Sequence, residues 1–206
     1  MALSRGRKIL LCILVFLIMF KCVDVITQRE KGEKVNPSVE LRQIMLHLKP
    51  HDIHATVDYN LVYAAIVDMA MEDRTISLVC VVDGTTSLYI STGGGQVGIG
   101  EIDEVGKATI AFLHSSEQVL DKLTAVSEFP YPEDKKHIVY LVTTSGVFSQ
   151  EFDVEEIGKY PKELQYLHSL YQNVLTKIDE VNKRNNFTLD DIPPDEYHIT
   201  VPRRQN

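Results

Sequence analysis

The chain has 206 residues, 44% of them hydrophobic and 24% charged, a composition typical of globular proteins that suits one domain plus an appendage. Its formal net charge of −8 gives no electrostatic support for nucleic-acid binding, because phosphate backbones are bound by clustered Lys and Arg. Of the three cysteines, Cys12 and Cys22 lie in or beside an N-terminal apolar run, which leaves the globular part without a disulfide framework.

A basic segment, residues 1–8, precedes an unbroken apolar run over residues 9–20, which is the pattern of an export signal. As a helix this run reaches about 18 Å, short of the roughly 30 Å hydrocarbon core of a membrane. Extension to residue 26 makes a span feasible, with Lys21 and Asp24 near its end. Because no small-x-small cleavage site follows, we predict an uncleaved single-pass signal anchor with an exported domain; secretion after cleavage is the alternative.

Residues 27–36 are polar, mixed in charge and without periodicity, which predicts a linker. A helix is predicted over residues 37–48, with Asn36 as its N-cap and Pro37 at its first position. The linker would therefore connect the membrane anchor to the first helix of the folded domain.

Two histidines, His51 and His54, follow this helix, with Asp52 and Asp58 nearby. They are weak candidates for ligands of a divalent metal, because strong zinc motifs supply more ligands at firmer spacing. The alternative is a polar loop with two exposed histidines, and we predict no metal site.

Three strands are predicted next, over residues 61–71, 76–82 and 85–91. The second is a β-branched run suited to a central strand, and the Asp83-Gly84 pair after it is a strong hairpin signal. A type I′ turn, with positive φ at both residues of the pair, would connect the second and third strands of an antiparallel meander.

The second half of the chain predicts two helices that flank another hairpin. Apolar residues at three-or-four spacing predict a long helix over residues 101–127, and strands follow over residues 137–143 and 147–153. A last helix starts near Pro161. Beyond it the chain becomes polar, and residues 197–201 are either an edge strand or part of a loose tail.

Together these elements predict an α+β fold, in which a mainly antiparallel five-stranded sheet is packed by helices and preceded by an N-terminal hydrophobic helix. The predicted order is a basic N-terminus, a signal anchor or signal peptide, a polar linker, a single α+β domain and a polar C-terminal tail, over residues 1–8, 9–26, 27–36, 37–184 and 185–206.

A glycine-rich loop between the third strand and the long helix is the candidate ligand-binding site. Five of the 11 glycines lie in residues 93–100, and the loop matches the pattern G-x-G-x-x-G. Backbone amides that no side chain covers, at the start of a helix, can bind the phosphate groups of a dinucleotide or a free phosphate. The candidate ligand-binding residues are Gly93, Gly94, Gly95, Gln96 and Gly98.

Two features favour a packing role for this loop instead. The strand before it belongs to an antiparallel hairpin, whereas dinucleotide folds open with a parallel βαβ unit. Glu101, Asp103 and Glu104 occupy the first helical turn, where they complement the helix dipole and repel a phosphate. We therefore predict no cofactor, and glycines that supply positive φ and close contact between helix and sheet.

The stretch DGTTSLYISTGGG at residues 83–95, with GIGE at residues 98–101, resembles a group of uncharacterised bacterial proteins. These share the signature D-G-T-x-S-L-Y-x-S-x-G-G-G followed by G-x-G-E, and the similarity extends over roughly residues 37–178. The resemblance implies a bacterial origin and a single compact domain. It implies no activity and assigns no functional residue.

The sequence contains none of the motifs G-x-S-x-G, H-E-x-x-H or C-x-x-C. We therefore predict a non-catalytic, membrane-tethered domain that binds a protein partner or scaffolds an assembly. The alternative is a small-molecule sensor or an enzyme that uses the loop at residues 93–100. Acids or bases gathered at the loop in a deep pocket favour this alternative, whereas an apolar patch or an open sheet edge favours partner binding.

Overall fold

The computed structural model describes residues 36–53, 62–193 and 196–200, which form one mixed sheet with helices on both faces. The helices of the described residues are α1 (Pro37–Leu46), α2 (Asp103–Ser116) and α3 (Lys162–Arg184). The strands are β1 (Val62–Ala70), β2 (Thr75–Val81), β3 (Thr86–Ile90), β4 (Gly95–Val97), β5 (Thr124–Val126), β6 (Lys136–Thr143), β7 (Gly146–Asp153) and β8 (Tyr197–Ile199).

The strands lie in the order β5-β7-β6-β1-β2-β3-β4-β8 across the sheet. Every neighbouring pair is antiparallel except β4 and β8, which are parallel. The long strands β1, β2 and β6 therefore occupy the middle of the sheet. Strands of three residues form its two ends.

The prediction of a mainly antiparallel five-stranded sheet is wrong, because β4, β5 and β8 extend it to an eight-stranded mixed sheet. β4 lies inside the glycine-rich loop, and glycine has little strand propensity. The helix predicted over residues 101–127 ends at Ser116, and a 3-10 turn (Glu117–Lys122) leads from it to β5. β8 comes from the polar segment after α3 and pairs with a strand far from it in sequence.

The predicted N-terminal hydrophobic helix lies outside the described residues, as does most of the predicted linker. None of the helices in the described part of the chain is both long enough and apolar enough to cross a membrane.

Both faces of the central strands are buried. Every residue of β1 from Val62 to Met69 is buried, as is every residue of β2, which is typical of a sheet covered on both sides. One hydrophobic cluster joins the sheet to α2 and α3, with Phe112 and Tyr171 at most 1% exposed. A second cluster joins the opposite face to α1, where Leu46 is 1% exposed.

A buried ion pair lies within the cluster on the α1 face. Arg42 of α1 donates from Nε to both carboxylate oxygens of Asp68 of β1, at 3.1 and 2.8 Å. The Ser77 hydroxyl of β2 donates to the same carboxylate at 2.5 Å, and the Arg42 side chain also donates to the Phe129 carbonyl at 3.1 Å. Burial raises the pKa of the Asp68 carboxyl, and the hydrogen bonds from Arg42 and Ser77 oppose that shift. The pair therefore fastens α1, two central strands and the segment at residue 129 to one another.

The Asp83-Gly84 hairpin is present, but its turn is not of the predicted type. Gly84 N donates to Val81 O and Val81 N donates to Thr85 O, both at 2.9 Å, as in a three-residue hairpin loop with glycine in the left-handed region. Gly84 has φ of +93°, whereas Asp83 is not among the described residues with positive φ. The Asp83 carboxylate instead accepts a hydrogen bond from Thr85 N at 2.9 Å, which holds the loop in this shape.

Candidate binding groove beside the glycine loop

The glycines of the predicted ligand site pack against the protein itself. Gly93 and Gly94 are buried in the turn between β3 and β4, and Gly95 begins β4. A Cβ atom on Gly95 would lie 2.2 Å from the Leu88 carbonyl oxygen of the neighbouring strand. The amide of Gly95 donates to the Glu196 carbonyl at 3.1 Å. Glycine is therefore needed here so that β4 can fit closely between β3 and the segment leading into β8.

Gln96 has its side chain inside the fold and not in a ligand cavity. It is 1% exposed, and its amide exchanges two hydrogen bonds with the amide of Asn182 of α3, at 2.8 and 3.1 Å. It also donates to the Thr200 hydroxyl at 3.2 Å. Gln96 thus joins β4 to the last turns of α3 and to the residue that follows β8.

Gly98 turns the chain out of β4 towards α2. Its φ of +76° lies in the left-handed region, where glycine is favoured, and it precedes a 3-10 turn (Ile99–Glu101). That turn leads to Glu101 and the start of α2. The glycine loop therefore places an acidic residue on the surface at one end of the sheet.

An open groove of about 1000 Å³ lies at this end. We call it the Glu101 groove. Its walls are the start of α2, the end of α3 with the residues after it, and β8. The lining residues are Glu101, Ile102, Asp103, Glu104, Lys107, Val181, Arg184, Asn185, Asn186, Phe187, His198, Ile199 and Thr200.

Most charges of the Glu101 groove are paired. Lys107 donates to Asp103 at 2.6 Å, and Arg184 pairs with Glu104 across the groove between α3 and α2. Within the described residues the Glu101 carboxylate forms no ion pair and accepts no hydrogen bond, although the residue is only partly exposed. Burial, and after it the nearby Asp83 carboxylate, raise the pKa of Glu101. A positively charged group placed beside Glu101 would stabilise its ionised carboxylate and offset the repulsion from Asp83. An anion at the same place would add to that repulsion.

The groove also has an apolar side and an open strand edge. The rings of Phe187 and His198 stack with their centroids 4.1 Å apart, and Ile199 is 48% exposed. β8 is the last strand of the sheet within the described residues, so its outer edge is not covered by another strand there. Thr200 N donates to Val97 O on the inner edge, and the backbone groups of Ile199 consequently point away from β4.

The two weak metal candidates do not form a described site. His51 has an 81% exposed side chain that lies 3.5 Å from Asp52, and His54 lies outside the described residues. In the ranges that the structure describes, no group of three or more His, Cys, Asp or Glu side chains could hold a metal ion.

Sequence reasoning missed the Glu101 groove because its walls come from three separated stretches. In the sequence, Glu101, Asp103 and Glu104 indicate charges that complement the dipole of the following helix and repel a phosphate, and nothing places them in a groove. The partial signal is the segment at residues 197–201, which predicts either an edge strand or part of a loose tail. Nothing in it indicated that it pairs with β4 next to these acids.

We predict that nucleotides and phosphate do not stabilise the protein. The Gly95 amide already donates a hydrogen bond to the Glu196 carbonyl. Glu101, Asp103 and Glu104, at and just before the start of α2, repel phosphate groups. Thermal unfolding of the full chain should give the same melting temperature with and without ATP, NAD or sodium phosphate. A ligand at a hundredfold excess over its dissociation constant would add about 2.7 kcal/mol of stability, so a saturable rise in melting temperature would contradict this prediction.

In comparisons with known proteins, no family model, curated protein or solved structure matches the chain.

Proposed function

We propose that the chain is a non-catalytic, membrane-tethered binding domain that takes up an extended basic segment of a protein partner in the Glu101 groove. The observation that carries this proposal is the position of the Glu101 carboxylate, which has no ionic partner among the described residues, in a groove bordered by an edge of β8 that no described strand covers. An acid, an apolar patch and a strand edge together suit a peptide better than a nucleotide.

Strand addition supplies the binding mode. An extended peptide can pair with the outward backbone groups of β8, and its alternate side chains then point into the groove. Ile199 offers apolar contact, while Glu101 attracts a Lys or Arg side chain of the peptide. Main-chain hydrogen bonds would supply affinity and the acid would supply selectivity for a basic residue.

The path of the chain supports a tether at the same end of the sheet as the groove. Asn36, the first described residue, donates from its side-chain amide to the Ser91 carbonyl at 2.6 Å. Ser38 donates to the Gly94 carbonyl at 2.8 Å, and its hydroxyl lies 2.8 Å from the hydroxyl of Tyr197 in β8. The predicted linker at residues 27–36 spans at most about 35 Å, so the predicted anchor would keep the groove close to the membrane.

The tether is tested by membrane fractionation. We expect the full chain to stay in the membrane pellet after alkaline carbonate extraction, and a chain that starts at Val35 to be soluble. Recovery of the full chain at its native size in the soluble fraction would contradict the tether but not the groove.

The binding function is tested by selecting displayed random heptapeptides on the full chain in lipid nanodiscs. We expect selected peptides to be enriched in Lys and Arg, and Glu101→Gln to weaken their binding about tenfold or more, because charge-assisted hydrogen bonds are worth roughly 1.5–3 kcal/mol. The matched control is Glu163→Gln, since Glu163 is exposed at the opposite end of the 23-residue helix α3.

Strand addition is tested separately by Ile199→Pro. The proline removes one amide that points away from β4, so it should weaken peptide binding while the melting temperature stays close to that of the unchanged protein.

Selected peptides without basic enrichment, or peptides that bind the Glu101→Gln protein equally well, would exclude the proposed groove function.

A further inference from the structure

We propose that a second copy of this chain pairs with the outer edge of β5, antiparallel and in the register that places Ala125 opposite Ala125 of the second copy. The two sheets then form one continuous sheet with a twofold axis at this residue. The Glu101 groove borders β8 at the opposite end of the sheet, so each copy keeps its own groove free. The proposal therefore does not depend on the function of that groove.

The edge of β5 is the first argument. β5 lies at one end of the sheet, and its only neighbour among the described strands is β7. Thr124 and Ala125 are exposed. Edge strands are commonly kept from pairing by a charged side chain, a proline or a bulge. The three residues of β5 include no charge and no proline, and they pair with β7 in a regular register.

The side chains of β5 suit pairing with themselves. In an antiparallel pair centred on Ala125, Thr124 faces Val126 of the second copy, and the twofold axis repeats this contact. Val126 packs against the hydrophobic cluster on the α1 face, and Thr124, two positions away, lies on the same face of the strand. Two β-branched side chains are a favourable cross-strand pair. The residue at the axis is alanine, which leaves room for the two strands to approach.

Charge complementarity is the third argument. Lys122 and Glu128 flank β5, each three positions from Ala125, so the proposed register places them opposite one another across the interface. Both residues are exposed, and within the described residues Glu128 forms no ion pair. Lys122 contacts Asp121 at 2.7 Å, an exposed pair of small energetic value that leaves lysine further donors. Because the axis repeats each contact, a copy of the chain itself matches the charges of this edge.

The register is tested by air oxidation of the full chain with Ala125→Cys in detergent micelles. Directly opposed Cα atoms of an antiparallel pair lie about 4.5–5.5 Å apart, which a disulfide can span. The matched control is Thr124→Cys, because two copies of Thr124 would lie diagonally about 7–8 Å apart, beyond the reach of a disulfide. We expect the dimer linked at residue 125 to form at least tenfold faster than one linked at residue 124.

Mass spectrometry of the linked peptides distinguishes these dimers from any formed by the three native cysteines. Equal rates for the two variants, or no link at residue 125, would overturn the proposal.

The charge pairs are tested by sedimentation equilibrium of the full chain in the same detergent at low salt. Lys122→Glu and Glu128→Lys each place like charges opposite one another twice, so we expect each to raise the dimer dissociation constant at least fivefold. The combined variant Lys122→Glu/Glu128→Lys restores opposite charges and should return the constant to within twofold of the unchanged protein. The control is Lys183→Glu, an exposed change of the same charge near the end of α3, which should have no effect.

The combined variant separates pairing of two copies from other uses of this edge. A full chain that stays monomeric, or a combined variant as weak as the two single changes, would overturn the proposal. The edge of β5 would then be left to another protein or to residues of the same chain outside the described ranges.

Discussion

Replacing Gly100 with alanine is expected to lower the free energy of unfolding by about 3 kcal/mol, at the upper end of the usual cost of overpacking. A Cβ atom on Gly100 would lie 2.1 Å from Gly84 O, 2.7 Å from Thr86 N and 2.8 Å from Thr86 Oγ1. Two of these atoms are backbone atoms of the β2–β3 hairpin, so they cannot move aside as a flexible side chain would. Relief requires the start of α2 to move away from the sheet.

Urea-induced unfolding of Gly100→Ala and of a control, Gly158→Ala, measures this change in the free energy of unfolding. Gly158→Ala is the matched control, because no atom lies within 4 Å of its Cβ position and its φ is not in the left-handed region. We expect the control to stay within about 0.5 kcal/mol of the unchanged protein. Equal stability of Gly100→Ala and Gly158→Ala would mean that the helix start is not packed against the hairpin as described.

Replacing Asp68 with alanine is expected to cost about 3–5 kcal/mol, because it leaves the Arg42 charge buried without its carboxylate partner. Arg42 is 1% exposed and Asp68 is fully buried, so water cannot replace the lost bonds without opening the fold. The exposed control is Asp179→Ala, which removes an i,i+4 pair with Lys183 on α3 and should cost at most about 0.5 kcal/mol.

A double-variant cycle separates the interaction energy between Arg42 and Asp68 from the contribution that each side chain makes alone. Arg42→Met combined with Asp68→Leu removes both charges and keeps apolar volume, so we expect it to be more stable than Asp68→Ala alone. Thermal or urea unfolding of Arg42→Met, of Asp68→Leu and of the variant that carries both changes gives the coupling energy. Additive losses from the two single changes would show that the two side chains do not act as a pair.

Local patterns predicted the centre of the sheet well. The β-branched run at residues 76–82 and the Asp83-Gly84 pair correspond to β2 and its hairpin with β3, which are antiparallel as expected. These signals are local, because the strand pattern and the turn residues adjoin each other in sequence. The turn type was wrong because the Asp83 side chain bonds within the loop, and that bond favours a different backbone conformation.

Features that depend on distant partners could not be predicted. β4, β5 and β8 have three residues each, too few for a periodic pattern, and each exists because a neighbouring strand accepts it. Arg42 and Asp68 are 26 residues apart, and neither position signals that the other neutralises it. The groove likewise depends on β8 reaching β4, so the acids at the start of α2 were visible in the sequence but their surroundings were not.

The pairing of β4 with β8 has a consequence for how the protein is made. Gln96 and the Thr200 hydroxyl that it contacts are 104 residues apart in the chain. At roughly 5–20 residues per second, a ribosome needs about 5–20 s to add the intervening residues. During that interval the newly made chain has β4 without its neighbour, and an uncovered strand edge is the kind of surface through which growing chains aggregate. The outer edge of β4 therefore has no neighbouring strand until residues 196–200 have been synthesised, which exposes this end of the sheet to pairing with other growing chains.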